Sequence, residues 1–189
     1  FLHAIACQSI TTYGQRHGAG DALGLAQTAF ALGTNAATAQ SIANLVWACA
    51  ALVYQHTPFR NAIAAQSIRM ITEFQNQNLA NTAWAVASLV CENRPLINAL
   101  AAEAIRRLKH FPPLEISSSA WAFATLGYNV LPLWTAIAAA AIRTITEYNP
   151  QSLANIAWAY ATLEFTDGPL MKALAAAARR HSLAFQPQK

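Results

Sequence analysis

Charged side chains are scarce in this chain, at 11% of its residues against 55% apolar. That balance excludes a disordered polypeptide, which lacks the apolar surface needed to offset chain entropy. Glycine and proline are also sparse, at 7 and 8 of 189 residues, so little interrupts regular structure, and the abundance of Ala points to tightly packed helices. The three cysteines, Cys7, Cys49 and Cys91, stand 42 residues apart. With no C-x-x-C pair and no nearby His they indicate neither a zinc site nor a disulfide framework, and reduced, partly buried thiols are expected. Long apolar runs are missing too. Two stretches, Ala22 to Phe59 and Ile116 to Ile142, lack Asp, Glu, Lys and Arg, but Gln, Asn, Ser, Thr and Pro break them before the roughly 18 apolar residues of a membrane span accumulate. No integral membrane span is expected.

Catalytic constellations are equally absent from the sequence. The five histidines, His3, His17, His56, His110 and His181, are scattered without metal-ligand spacing. No Gly-rich phosphate loop, G-x-S-x-G or paired-carboxylate arrangement occurs. With so few acids, general acid–base chemistry has little to work with. The expectation is a protein without enzymatic activity, cofactor or metal.

What is present is a repeat. Trp47, Trp84, Trp121 and Trp158 are each separated by 37 residues with no insertion. The same spacing carries Pro58, Pro95, Pro132 and Pro169; Ala62, Ala99, Ala136 and Ala173; Leu52, Leu89, Leu126 and Leu163; and Arg69, Arg106, Arg143 and Arg180. Aromatics recur at Phe74, Phe111, Tyr148 and Phe185. Each unit holds two helical patterns. In the first, Leu79, Ala83, Val86 and Ala87 share one face, and in the last unit this helix opens at Asn149-Pro150, an N-cap followed by Pro at the first helical position. The second helix starts by the same logic at the recurring Pro and runs about four turns to the aromatic, burying Leu96, Leu100, Ala104, Leu108 and Phe111.

The fold class is therefore all-α, an α-solenoid of tandem helix-turn-helix repeats with a 37-residue period, because a helix pair that cannot bury both its faces must stack on neighbours. The Ala columns allow close helix approach and the Trp fills the space beside them. If that space is closed, Trp84→Ala or Trp121→Ala costs about 3–5 kcal/mol. Residues 37–189 divide into four such repeats. Residues 1–36 obey the period poorly, since Phe30 stands only 17 residues before Trp47. They are read as divergent N-terminal repeat material, with helices over about residues 2–13 and 21–33. The chain starts at Phe1, and Phe185-Gln186-Pro187-Gln188 reads as the opening of another unit, so the array is expected to continue beyond both ends.

The run Asn78-Leu79-Ala80-Asn81-Thr82-Ala83-Trp84-Ala85, its echo Ser152-Leu153-Ala154-Asn155-Ile156-Ala157-Trp158-Ala159, and Glu103-Ala104-Ile105-Arg106-Arg107 resemble the octotricopeptide and heptatricopeptide repeat families over roughly residues 37–189. The resemblance implies an α-solenoid acting in the mitochondrial matrix or the chloroplast stroma. There it would bind single-stranded RNA or rRNA in RNA processing, translation or ribosome structure, often with a RAP domain elsewhere in the chain. The sequence departs from that pattern in three ways: Arg179 replaces the Ile of positions 68, 105 and 142, Ser117-Ser118-Ser119 replaces Ala80-Asn81-Thr82, and no RAP-like segment is visible.

Two columns are candidates for RNA contact. On a helical wheel Arg106 lies nearly opposite the buried stripe of its helix, so Arg69, Arg106, Arg143 and Arg180 line an outer face, joined by Arg107 and Arg179. A cation ladder at repeat spacing suits a phosphate backbone. The alternative is that Arg near a helix C-terminus binds the last carbonyls. The second column, Asn44, Asn81, Ser118 and Asn155, carries side chains that donate and accept to base edges, and equally could form hydrogen-bond ladders between repeats. Gln77, Asn78, Gln151 and Ser152 are expected to widen it, with Glu115 as a local repulsion. A net charge of +4 tilts toward an acidic partner but is low for a dedicated RNA binder. The other reading is a protein–protein scaffold or accessory subunit of a large organellar assembly.

Overall fold

The structure, a computed structural model, describes residues 38–184 apart from 52–56 and 90–92. The division at residues 1–36, with its two expected helices, lies outside the described residues. Eight helices and three 3₁₀ turns make up the described chain, with no strand among its residues, so the protein is all-α. The helices are α1 (Ala39–Ala51), α2 (Thr57–Arg69), α3 (Asn76–Ser88), α4 (Arg94–Arg107), α5 (Pro113–Thr125), α6 (Leu131–Arg143), α7 (Pro150–Thr162) and α8 (Gly168–Ala184). Helix α1 packs on α3, α3 on α5 and α5 on α7, while α2 packs on α4, α4 on α6 and α6 on α8. Each odd helix also packs on the even helix that follows it, giving an odd and an even layer with the core between. No described helix is long and apolar enough to cross a membrane.

The odd helices approach one another more closely than the even ones do, and the reason is in their side chains. Ala80, Ala83, Ala85 and Ala87 of α3, and Ser117, Ser119, Ala120, Ala122 and Ala124 of α5, are all buried. Small residues let neighbouring backbones come close where Leu or Phe would hold them 8–10 Å apart.

Helix starts are set by local hydrogen bonds. Asn93 Oδ1 accepts from the Leu96 amide at 3.0 Å, Asn149 Oδ1 from Ser152 at 2.7 Å and Asp167 Oδ1 from Leu170 at 2.8 Å, each satisfying an amide that the helix leaves without a partner. Pro150 opens α7 as expected. In α4 and α6 the start differs, because each helix begins one residue earlier and Pro95 and Pro132 occupy its second position, where a proline also sacrifices no intrahelical donor. Whereas α8 continues as one α-helix to Ala184, the second helix of the first three pairs also stops sooner than expected. It tightens into a 3₁₀ turn at Ile71–Glu73, Leu108–His110 or Ile145–Glu147, and Phe74, Phe111 and Tyr148 follow in extended backbone, all buried. The row Leu96, Leu100, Ala104, Leu108 and Phe111 is buried throughout although it is not one α-helix.

The ends of α5 and α7 share a Schellman turn. After α5, Tyr128 N–H donates to Phe123 O at 2.9 Å and Gly127 N–H to Ala124 O at 3.0 Å, with Gly127 at φ 61°. After α7, the Phe165 amide bonds Tyr160 O at 3.0 Å and the Glu164 amide bonds Ala161 O at 3.2 Å, with Glu164 at φ 54°. A side chain in this left-handed conformation costs about 1–2 kcal/mol.

The tryptophan column departs from the closed packing expected of it. Trp47 and Trp158 are 36% and 37% exposed, and Trp84 and Trp121 are half-buried, because close approach of the odd helices leaves room for indoles only on the outer side of the layer. The enclosed indole is Trp134 in the even layer, fully buried. Its Nε1 donates to Tyr128 O at 2.9 Å, its own carbonyl accepts from the Tyr160 hydroxyl at 2.6 Å, and the two rings meet edge-on at 5.2 Å.

Two stability outcomes are expected in urea denaturation. Trp134→Ala should destabilise by about 3–5 kcal/mol, and Trp121→Ala by clearly less because its site is open. Glu164→Gly should stabilise by roughly 1 kcal/mol by relieving the left-handed backbone; a loss would mean that the Glu164 side chain makes an offsetting contact.

Candidate nucleic-acid interface

The inner odd helices α3 and α5 each present one narrow stripe to solvent, and α1 and α7 carry the same positions on wider exposed faces. Beyond Asn76, the residues of α3 that are not buried are Gln77, Asn81, Trp84 and Ser88, at the i, i+4, i+7, i+11 spacing of one helix face. The same positions hold Gln40, Asn44 and Trp47 on α1, Leu114, Ser118, Trp121 and Thr125 on α5, and Gln151, Asn155, Trp158 and Thr162 on α7. The amide column and the tryptophan column are therefore one surface, with each Trp three residues from its Asn or Ser. Trp84 and Trp121 stack with ring centroids 6.3 Å apart and planes 30° apart, and Trp121 and Trp158 at 6.3 Å and 28°. Treating the Trp column as filler missed this, although the i, i+3 spacing of Asn81 and Trp84 was a signal for it. No stripe position carries a charge.

The amides differ in how far they are engaged. Asn44 Oδ1 accepts from Gln40 Nε2 at 2.8 Å, and Gln40 Oε1 accepts from Asn78 Nδ2 at 2.8 Å, a chain that ties α1 to α3. Asn81, Ser118 and Asn155 make no side-chain hydrogen bond to the described residues, and Asn81 is exposed while the other two are half-buried. Asn78 and Ser152 do not widen the stripe as expected. Both are buried, since the third helical position faces the neighbouring odd helix, where Asn78 also accepts from the Gln75 amide at 2.9 Å. Glu115 occupies the same position in α5 and is half-buried, with its Oε2 enclosed and without a hydrogen-bond partner among the described residues. Gln77 and Gln151 remain exposed.

The arginines lie in the even layer: Arg69, Arg107 and Arg143 end α2, α4 and α6, Arg106 precedes Arg107, and Arg179 and Arg180 stand in the last two turns of α8. Arg69, Arg106, Arg143, Arg179 and Arg180 are exposed and Arg107 is half-buried. Arg69 is held by the neutral side chain of Gln66, and Arg143 donates to Leu108 O at 3.4 Å. Arg106 makes a two-pronged contact with Glu103, at 3.0 and 2.6 Å. Arg107 also pairs with Glu103, donates to Phe74 O at 2.6 Å and reaches Thr72 O. Arg107 thus bonds the last carbonyls of the preceding even element, as His181 does at Tyr148 O, 2.9 Å away. It is a staple between helix pairs, while Arg69 and Arg143 keep charges that their neutral acceptors position without cancelling. One carboxylate, Glu103, is shared by two guanidiniums. The hydrogen bond from Arg106, aided by the charges of Arg107 and Arg106, holds its carboxyl below the ordinary range against the opposing effect of burial. Asn76 Nδ2 donates to His110 O at 3.0 Å, joining this basic edge to the first turn of α3 and hence to the start of the stripe. Of the cysteines, Cys49 is buried and free, and burial pushes its thiol up to about 11; Cys7 and Cys91 lie outside the described residues.

Fold and surface together define an all-helical protein with an exposed indole-and-amide stripe beside a basic edge. A family model, that of the RNA-editing substrate-binding complex 6 protein, matches residues 23–186. The chain belongs to that family. No curated protein matches it. The octotricopeptide and heptatricopeptide assignment is corrected by this finding, and the chloroplast and ribosomal roles attached to it lose their support. The period, Ala columns and proline starts answer to the demands of stacking helix pairs, which different families can meet alike.

The two neighbouring arginines should separate in a stability measurement. Arg107→Gln is expected to destabilise by about 1.5–3 kcal/mol, because the Phe74 carbonyl and Glu103 lose a charged donor. Arg106→Gln should leave the urea midpoint nearly unchanged, since its side chain is 63% exposed and Arg107 still serves Glu103.

Proposed function

We propose that the chain is a non-enzymatic subunit of an RNA-editing substrate-binding complex that contacts single-stranded RNA, and that its helix pairs form an α-solenoid with a 37-residue unit. The regular helix starts at Ala39, Asn76, Pro113 and Pro150 support the solenoid. The RNA reading is carried by one observation: Arg69, Arg106, Arg143, Arg179 and Arg180 lie exposed along a single edge, and all but Arg106 have no acidic partner among the described residues. Positive charge at repeat spacing along an edge is what a phosphodiester backbone meets with little rearrangement. The first turns of α3, α5 and α7 come to the same edge and add their partial positive charge. The family description favours RNA processing over other organellar roles. The compartment we propose is the mitochondrion, where RNA-editing complex proteins act. A binding role without catalysis accords with a sequence that carries no catalytic constellation.

A second reading, an accessory subunit that holds other proteins, is favoured by the net charge of +4, which is low for a dedicated RNA binder.

The test is RNA affinity across a salt titration, for the parent and for a variant carrying Arg→Gln at positions 69, 106, 143 and 180. Parent binding should fall steeply with salt, and the variant's slope of log K against log salt should be shallower by about 0.7 per phosphate contact removed. A folded parent that fails to bind RNA at low salt would move the assignment to the second reading.

A further inference from the structure

We infer that the indole-and-amide stripe of the odd layer is a platform for unpaired RNA bases, with Trp84, Trp121 and Trp158 supplying stacking surface and Asn81, Ser118 and Asn155 hydrogen bonds to base edges. This rests on the RNA reading above and assigns the bases to a surface distinct from the one that takes the phosphates.

The exposure of the tryptophans is the first support. Trp134 shows how this chain treats an indole that serves the core: it is fully enclosed and its N–H is bonded at 2.9 Å. The ladder tryptophans are instead left half in solvent, stacked on one another in a continuous row. A second support is chemical. The stripe offers indole, amide and hydroxyl groups and no charge, so it suits flat, neutral, hydrogen-bonding ligands and gives phosphate nothing to pair with. Beside three of the tryptophans stands a side chain able to donate and accept, unengaged by the described residues at Asn81, Ser118 and Asn155.

Position supplies the third support. The Asn76 to His110 bond fixes the basic edge against the first turn of α3. At 1.5 Å rise per residue Asn81 lies about 8 Å and Trp84 about 12 Å further along the helix. A strand whose backbone follows the arginines therefore directs its bases across the amides toward the indoles. Ring spacing limits how they are received. A base between two indoles needs about 7 Å, two contacts of roughly 3.5 Å, and the centroids are 6.3 Å apart with tilted planes. Bases thus lie against the exposed flank of the ladder and are not inserted between its rings.

The experiment uses the whole chain, a short oligouridylate, and an abasic oligoribonucleotide of equal length with the same backbone, at one low salt concentration. The oligouridylate should quench tryptophan emission and bind at least about ten-fold more tightly than the abasic strand. Trp121→Leu should weaken oligouridylate binding by about five- to hundred-fold with little effect on the abasic strand, and Trp121→Phe should restore most of the loss. If Trp121→Leu does not fold, the quenching and the abasic comparison on the parent still decide. Equal binding of both strands without quenching, with the arginine variant still defective, would overturn this inference and leave the RNA reading standing. A parent that binds neither strand would overturn both. Loss of a protein partner by a folded Trp121→Leu with unchanged RNA affinity would assign the stripe to a protein interface and overturn the inference as well.

Discussion

The close approach of the odd helices governs most of what distinguishes this structure. Ala and Ser on the facing sides of α3, α5 and α7 let the backbones come nearer than bulky side chains allow. Once they do, no volume remains between them for an indole. The tryptophans are displaced to the outer side of the layer, where successive units bring their rings to 6.3 Å. The same closeness buries the third helical position, removing Asn78, Ser152 and part of Glu115 from the surface and narrowing the exposed face to a single stripe.

The even layer is organised by different chemistry. Its helices are spaced by larger side chains such as Leu96, Ile97, Leu100, Trp134 and Ile137, and their C-terminal ends are joined from pair to pair by polar staples. Arg107 and His181 each bond the carbonyl of the aromatic that closes the preceding even element. These bonds satisfy carbonyls that every helix end leaves open. They also fix the lateral position of the cations around them, so one set of interactions holds the pairs in line and aligns a charged edge. Glu103 serves both sides of this edge, since its carboxylate anchors Arg107 inside and reduces the net charge that Arg106 presents outside.

The two layers expose different chemistry, guanidiniums along the even-layer edge and indoles, amides and hydroxyls along the odd layer. Under the RNA contact proposed above, phosphate attraction, which is long-ranged and tolerant of geometry, would fall to the arginines, and stacking and hydrogen bonding, which are short-ranged and need fixed partners, to the odd helices. Membership of the RNA-editing substrate-binding complex 6 protein family is the setting for that proposal.

The sequence by itself determined the helical class, the pairing of helices, the asparagine start at Asn149 and the buried rows of α3 and α4, because each depends on neighbours within a few turns and leaves a periodic trace. It also marked Arg106 as outward, and left the Asn column open between an exposed stripe and a ladder between repeats. Only the tertiary structure decided that Arg107 is an internal staple, that Trp134 is the structural indole, and that the Trp column joins the Asn column on one open stripe. Those outcomes depend on how closely two helices 37 residues apart approach and which carbonyl lies across the gap. Such distances are set between units and leave no period of their own in the sequence. The family, too, was out of reach of the repeat pattern, since the spacing of Trp, Pro and Ala reports the packing of helix pairs and not the lineage that uses it.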